Sequence, residues 1–200
     1  MKLTERQHDS IVELVNIAYG RAAASLSTLT GQRVILGAPK ITLHQVKELQ
    51  GLFSSNITGE VATVHQIFSG SVSGNAMLVL DYEGAIALSG LMDEHRVPVK
   101  QLTDSDLEVI AELGNILLNA CLGTFGNILQ VHISFSVPRM QVDSLTALMD
   151  SLVIGSQELK YALAVATNFN LRDSAVGGFL VIVLGVASLD SLIQAVEKLG

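Results

Sequence analysis

The stretch Asp9-Ser10-Ile11-Val12-Glu13-Leu14-Val15-Asn16 returns as Glu108-Val109-Ile110-Ala111-Glu112-Leu113-Gly114-Asn115, shifted by 99 positions (16 to 115). Both copies read acid-x-x-x-Glu-x-x-Asn, and in both a proline follows with 22 residues between it and the asparagine: Pro39 after Asn16, Pro138 after Asn115. At about 100° per residue on an α-helix, Asp9, Glu13 and Asn16 fall within a strip roughly 60° wide, and Glu108, Glu112 and Asn115 do the same. Ile11, Leu14 and Val15 lie on the other side, so each copy reads as a helix with an apolar face and a narrow polar ridge.

Working outward from the first copy, Thr4 and Gln7 form a capping-box pattern. Ile11, Leu14, Val15, Ala18, Ala22 and Leu26 then recur at helical spacing. This predicts a long helix over about 5–29 with Gly31 as its stop. Short strands are expected at 33–36 and 41–43, the first ending at Gly37 and Pro39, and a brief helical segment at 45–53. Strands follow at 61–68 and 74–81 across a Gly/Ser turn at 69–73, then a helix at 83–93. The same order begins again at Leu102, with predicted strands at 161–168 and 177–184 and a helix at 188–199. The chain is thus an internal duplication: repeat 1 over about 1–94, a linker at about 94–100 containing Pro98, and repeat 2 over about 101–200. Two repeats make a pseudo-two-fold unit and no solenoid. The expected fold class is α/β (α+β): a single domain with one shared, mostly antiparallel sheet and the two long motif-bearing helices side by side on it.

Composition narrows the function. With 49% hydrophobic residues in 200, the chain can bury a substantial core. A net charge of −7 without a Lys/Arg cluster argues against a nucleic-acid partner. The apolar run at 178–186 is about half of what spans hydrocarbon, so no membrane insertion is expected. The N-terminus MKLTERQHDS is too polar for a secretory signal, which points to a cytoplasmic protein. The lone Cys121, set in a helical apolar pattern, reads as a buried inert thiol.

The polar ridge carries the chemistry. Asparagine inside a helix costs roughly 0.5–0.7 kcal/mol relative to alanine, yet it holds the same register in both halves while most other outer positions differ. A carboxylate one turn from an amide can grip a cationic side chain, and the amide can hold a water in a set orientation. Such a pair offers neither a nucleophile nor a metal. It suits assistance to hydrolysis on a partner that brings its own phosphoryl group and metal.

The pattern Asp9-x3-Glu13-x2-Asn16-x22-Pro39, repeated as Glu108-x3-Glu112-x2-Asn115-x22-Pro138, resembles the signature of the CheC/CheX/FliY family of chemotaxis phosphatases, over nearly the whole chain. The resemblance implies an enzyme, a hydrolase of the aspartyl phosphate on a CheY-like response regulator, with Mg²⁺ on that regulator and no cofactor on this chain. By it, Glu13 and Glu112 bridge to the regulator's active-site lysine, Asn16 and Asn115 orient the attacking water, and Pro39 and Pro138 are structural. Asp9 and Glu108 are supporting positions, since the second copy departs from the usual Asp or Ser there. Paired motifs in a chain of this size look like free-standing CheC, whose relatives commonly bind the receptor deamidase CheD; the helix near 143–152 is the candidate surface. The alternative is a CheC-like scaffold that binds the regulator or CheD without catalysis.

Other chemistry has little support. His8, His44, His65, His95 and His132 lack metal-ligand spacing, the glycines form no phosphate loop, and no serine sits in a nucleophile elbow. Asp104 and Asp106 read as first-turn carboxylates facing the helix dipole.

Overall fold

The computed structural model describes residues 3–90, 100–130, 132–154, 159–171 and 174–198. The helix α1 (Glu5–Thr30) leads into β1 (Val34–Leu36) and β2 (Lys40–Gln45), then a 3₁₀ turn (Val46–Glu48) and α2 (Leu49–Ser54). The hairpin β3 (Glu60–Gly70) and β4 (Gly74–Asp81) follows, and α3 (Tyr82–Ser89) closes the first half. The second half repeats this order as α4 (Asp104–Leu129), β5 (Ile133–Phe135), β6 (Arg139–Ser144), α5 (Leu145–Ile154), β7 (Leu159–Leu171), β8 (Ser174–Gly185) and α6 (Val186–Glu197). Most of the linker expected at about 94–100, with His95 and Pro98, lies outside the described residues, as does the end of the helix expected at 83–93.

Both long helices begin on capping boxes. Thr4 pairs with Gln7 as the sequence predicts, and Thr103 pairs with Asp106. Asp106 is therefore more than a dipole carboxylate: it is 3% exposed and accepts from the Thr103 backbone N–H at 2.8 Å and from its hydroxyl at 2.7 Å. Both helices also end in the left-handed conformation at the same register, Gly31 with φ 66° and Gln130 with φ 54°.

The strands form one antiparallel sheet in the order β1-β7-β8-β4-β3-β5, with β2 also on β7 and β6 also on β3. Each half thus lends its edge strands to the other: β1 and β2 complete β7, and β5 and β6 complete β3. The two edges carry the same irregularity. Leu36 faces Phe169 and Lys40 faces Ala166, so four steps along the edge (36 to 40) span three along β7 (169 to 166). Phe135 faces Phe68 and Arg139 faces His65, again four steps (135 to 139) against three (68 to 65). Each edge holds a one-residue bulge containing its proline, and pairing continues into it through Gly37 N–H to Asn168 O at 2.8 Å and Ser136 N–H to Ile67 O at 2.9 Å.

One face of the sheet carries α1, α3, α4 and α6. Ile11, Leu14, Val15, Ala18, Ala22 and Leu26 of α1 meet Ile110, Leu113, Leu117 and Phe125 of α4 over Ala62, Val64, Leu78, Leu80, Val165 and Leu180. Most of the apolar residues that make α4 apolar enough for a membrane span belong to this core. The other face is covered by α2 and α5, where Phe53 meets Phe179 edge to face at 5.4 Å. Because the related strands β4 and β8 are antiparallel neighbours while α1 and α4 share one face, the pseudo-dyad stands normal to the sheet. A dyad so placed reverses directions within the layer, so the two long helices run antiparallel.

Candidate functional site

Glu13 and Asn16 lie exposed on the outward side of α1, one turn apart, and Asp9 continues the ridge with a side chain 82% exposed. Asp9 approaches the His8 ring at 3.6 Å, and His8 in turn donates through Nε2 to the Ile41 carbonyl at 3.3 Å. On α4, Glu108 and Glu112 are exposed and Asn115 is half-buried. The apolar face of each helix, locked to the sheet, fixes the direction in which these side chains project.

The prolines belong to the same places. The Val34 N–H donates to Ser27 Oγ at 3.0 Å, and His8 bonds Ile41, so the edge strand runs back beneath α1. Asn16 stands eleven residues before Ser27, about 16 Å along the helix, which is about five strand residues beyond Val34 and lands on Pro39. Pro39 is buried, and its counterpart Pro138 is half-buried. The long fixed interval in the sequence is thus the path from a ridge asparagine to the helix end and back to the bulge below it.

The two pairs stand apart. Arg21 Nη1 of α1 donates to Thr124 Oγ1 of α4 at 3.4 Å, which puts the helix crossing in their C-terminal halves. Glu13 and Asn16 precede that crossing by about 7–10 residues, as do their counterparts, so the pairs lie roughly 20–30 Å apart on one face.

One feature of the second ridge escapes the motif. Asn115 Oδ1 accepts from Asn119 Nδ2 at 2.8 Å, while Asn119 Oδ1 is buried without a partner. The position matching Asn119 in α1 is Gly20, exposed and with open space around it. The signal was present as an Asn at i+4 from Asn115, but it lacks a repeat and so was invisible to a comparison of halves. Among the described residues no cluster of His, Cys, Asp and Glu could hold a metal ion. Cys121 is fully buried between the helices and the sheet, and burial pushes its thiol up to about 12.

No protein-family model matches the chain. It is 23% identical over 172 residues to the flagellar motor switch phosphatase FliY of Bacillus subtilis, covering 85% of this chain and 43% of that protein. The chain therefore spans less than half the length of the curated relative it matches. Among solved structures, Thermotoga maritima FliY superposes with a TM-score of 0.78 at 21% identity, covering 99% of both chains. FliM in a FliG–FliM complex from H. pylori gives 0.66 at 12% identity, covering 96% of this chain and all of that one. In sequence the chain is similar to FliY and in fold to FliY and FliM, in keeping with the resemblance to the CheC/CheX/FliY family carried by its paired motifs.

Proposed function

We propose that the chain is a phosphatase of a CheY-like response regulator in chemotaxis signalling, acting through Glu13 with Asn16 and through Glu112 with Asn115. The observation that carries this reading is the pair itself: a carboxylate and an amide one turn apart on an outward helix face, twice, in halves whose edge strands carry matching proline bulges. The similarity to FliY supports it.

The chain brings no nucleophile. The glutamate carboxylate takes the ammonium of the regulator's lysine, which aligns the two surfaces and draws that cation partly off the phosphoryl group. The asparagine amide holds one water opposite the scissile bond. Attack forms a bond from water oxygen to phosphorus and breaks the bond from phosphorus to the regulator's aspartyl oxygen, releasing inorganic phosphate and the free carboxylate. Mg²⁺ on the regulator supplies charge neutralisation there. Catalysis is positioning, and a rigid helix on a sheet is a suitable mount for it. With the pairs roughly 20–30 Å apart, each can serve a separate regulator molecule.

A second reading is a binding module. FliM, which shares this fold, was crystallised with FliG, so the same scaffold occurs in a protein–protein complex. Adding the chain to phosphorylated CheY with Mg²⁺ separates the two: accelerated decay is expected, whereas a stable complex with unchanged decay means the module. CheD as a further partner through α5 remains a proposal of the family resemblance, and pull-down with CheD tests it.

A further inference from the structure

We propose, resting on the phosphatase reading, that Asn119 is a positioning residue that makes the two sites unequal: it holds the Asn115 amide in one orientation, while Asn16 has no such support. Three observations point to it. Asn119 Nδ2 donates to Asn115 Oδ1 at 2.8 Å across one helical turn. Asn119 carries two costs, an asparagine in a helix interior and a buried oxygen with no partner, so stability alone disfavours it. In the first half the same position is Gly20, with open space where a side chain would stand, and Asn16 is exposed where Asn115 is half-buried.

The consequence is chemical. An amide that must orient a water works best when its own rotamer is fixed before the partner arrives, since ordering a side chain during the reaction raises the barrier. With one lone pair of Oδ1 taken by Asn119, Asn115 presents the other lone pair and its N–H groups in a set direction. Asn16 samples several rotamers. The second site therefore contributes the larger share of turnover, and the difference resides in kcat, because Asn119 does not touch the regulator's phosphoryl group.

The test uses Asn119→Ala in the full chain, first alone and then with each motif asparagine removed. Alanine is the better helix former and leaves no orphan oxygen, so the variant is expected to melt at or above the temperature of the parent. With Asn16→Ala present, so that only the second site works, Asn119→Ala is expected to lower kcat about three- to five-fold, a side-chain ordering effect, with KM unchanged. With Asn115→Ala present it is expected to do nothing. Unchanged kcat in the first background, or an equal loss in the second, overturns the proposal. If the protein has no phosphatase activity, relaxation of the side-chain amide ¹⁵N nuclei still decides: the Asn115 amide is expected to be rigid and to become as mobile as that of Asn16 in Asn119→Ala. Equal mobility of Asn16 and Asn115 in the unaltered protein contradicts the inference, whatever the activity shows.

Discussion

At the scale of single residues, the two halves match at some positions and differ at others. The left-handed C-cap is glycine at 31 and glutamine at 130. A side chain in that conformation costs about 1 kcal/mol, so Gln130→Gly is expected to raise stability by about 0.5–1 kcal/mol and Gly31→Ala to lower it similarly, read by urea denaturation. Cys121 and Tyr19 make a second case. Desolvation pushes the Cys121 thiol from 9.0 up to about 12, and desolvation followed by the Cys121 neighbour pushes the Tyr19 phenol above its usual 10.0. Both folded values exceed the unfolded ones, so their contribution is complete below pH 9.0 and is lost as pH rises toward 12, where the unfolded chain sheds protons that the folded chain keeps. Denaturation midpoints are expected to fall across that window, and less steeply in Cys121→Ala, which copies Ala22 of the first half. Burial of Cys121 was legible from its apolar neighbours. The role of Asp106 was not, because a first-turn aspartate reads the same whether it faces solvent or caps a threonine three residues back.

At the scale of elements, the two long helices were legible because their apolar residues keep a 3.6 period for seven turns, and Gly74–Asp81 because its short apolar run follows a Gly/Ser turn. The pattern reads Pro39 as a strand end, whereas Pro39 and Pro138 each lie in a bulge within an edge that resumes pairing on the same neighbour. That neighbour comes from the opposite half of the chain, and local pattern carries no information about it. Within the second half, β7 and β8 run beyond their predicted ends because the hairpin ladder extends pairing past the apolar run. How α4 seats on the sheet turns on Gly114, next to the motif asparagine: a Cβ there would stand 2.7 Å from Val64 Cβ and Cγ2. Gly114→Ala is expected to lose about 1–3 kcal/mol by overpacking, measured by chemical denaturation, although alanine is the better helix former. A gain in stability would mean that α4 shifts freely over β3.

At the scale of the whole molecule, the recurrence of the element order at a fixed offset of 99 was legible, but the exchange of edge strands between halves was not. We propose from that exchange that the repeats do not fold separately: residues 1–94 alone leave β1 and β2 without β7, and residues 101–200 leave β5 and β6 without β3. Each fragment is expected to lack a cooperative thermal transition, and an equimolar mixture to recover one. A fragment that melts cooperatively as a monomer contradicts this. The same dyad that interlocks the sheet carries two polar ridges to one face of the protein, and we propose that these ridges work on a phosphorylated regulator. The most direct measurement is the decay of phosphorylated CheY with Mg²⁺ in the presence of the parent chain, Asn16→Ala, Asn115→Ala and the double variant. Acceleration by the parent, partial loss in each single variant and near-complete loss in the double are expected. Decay that the parent leaves unchanged, or that the double variant accelerates as well as the parent does, would contradict the account.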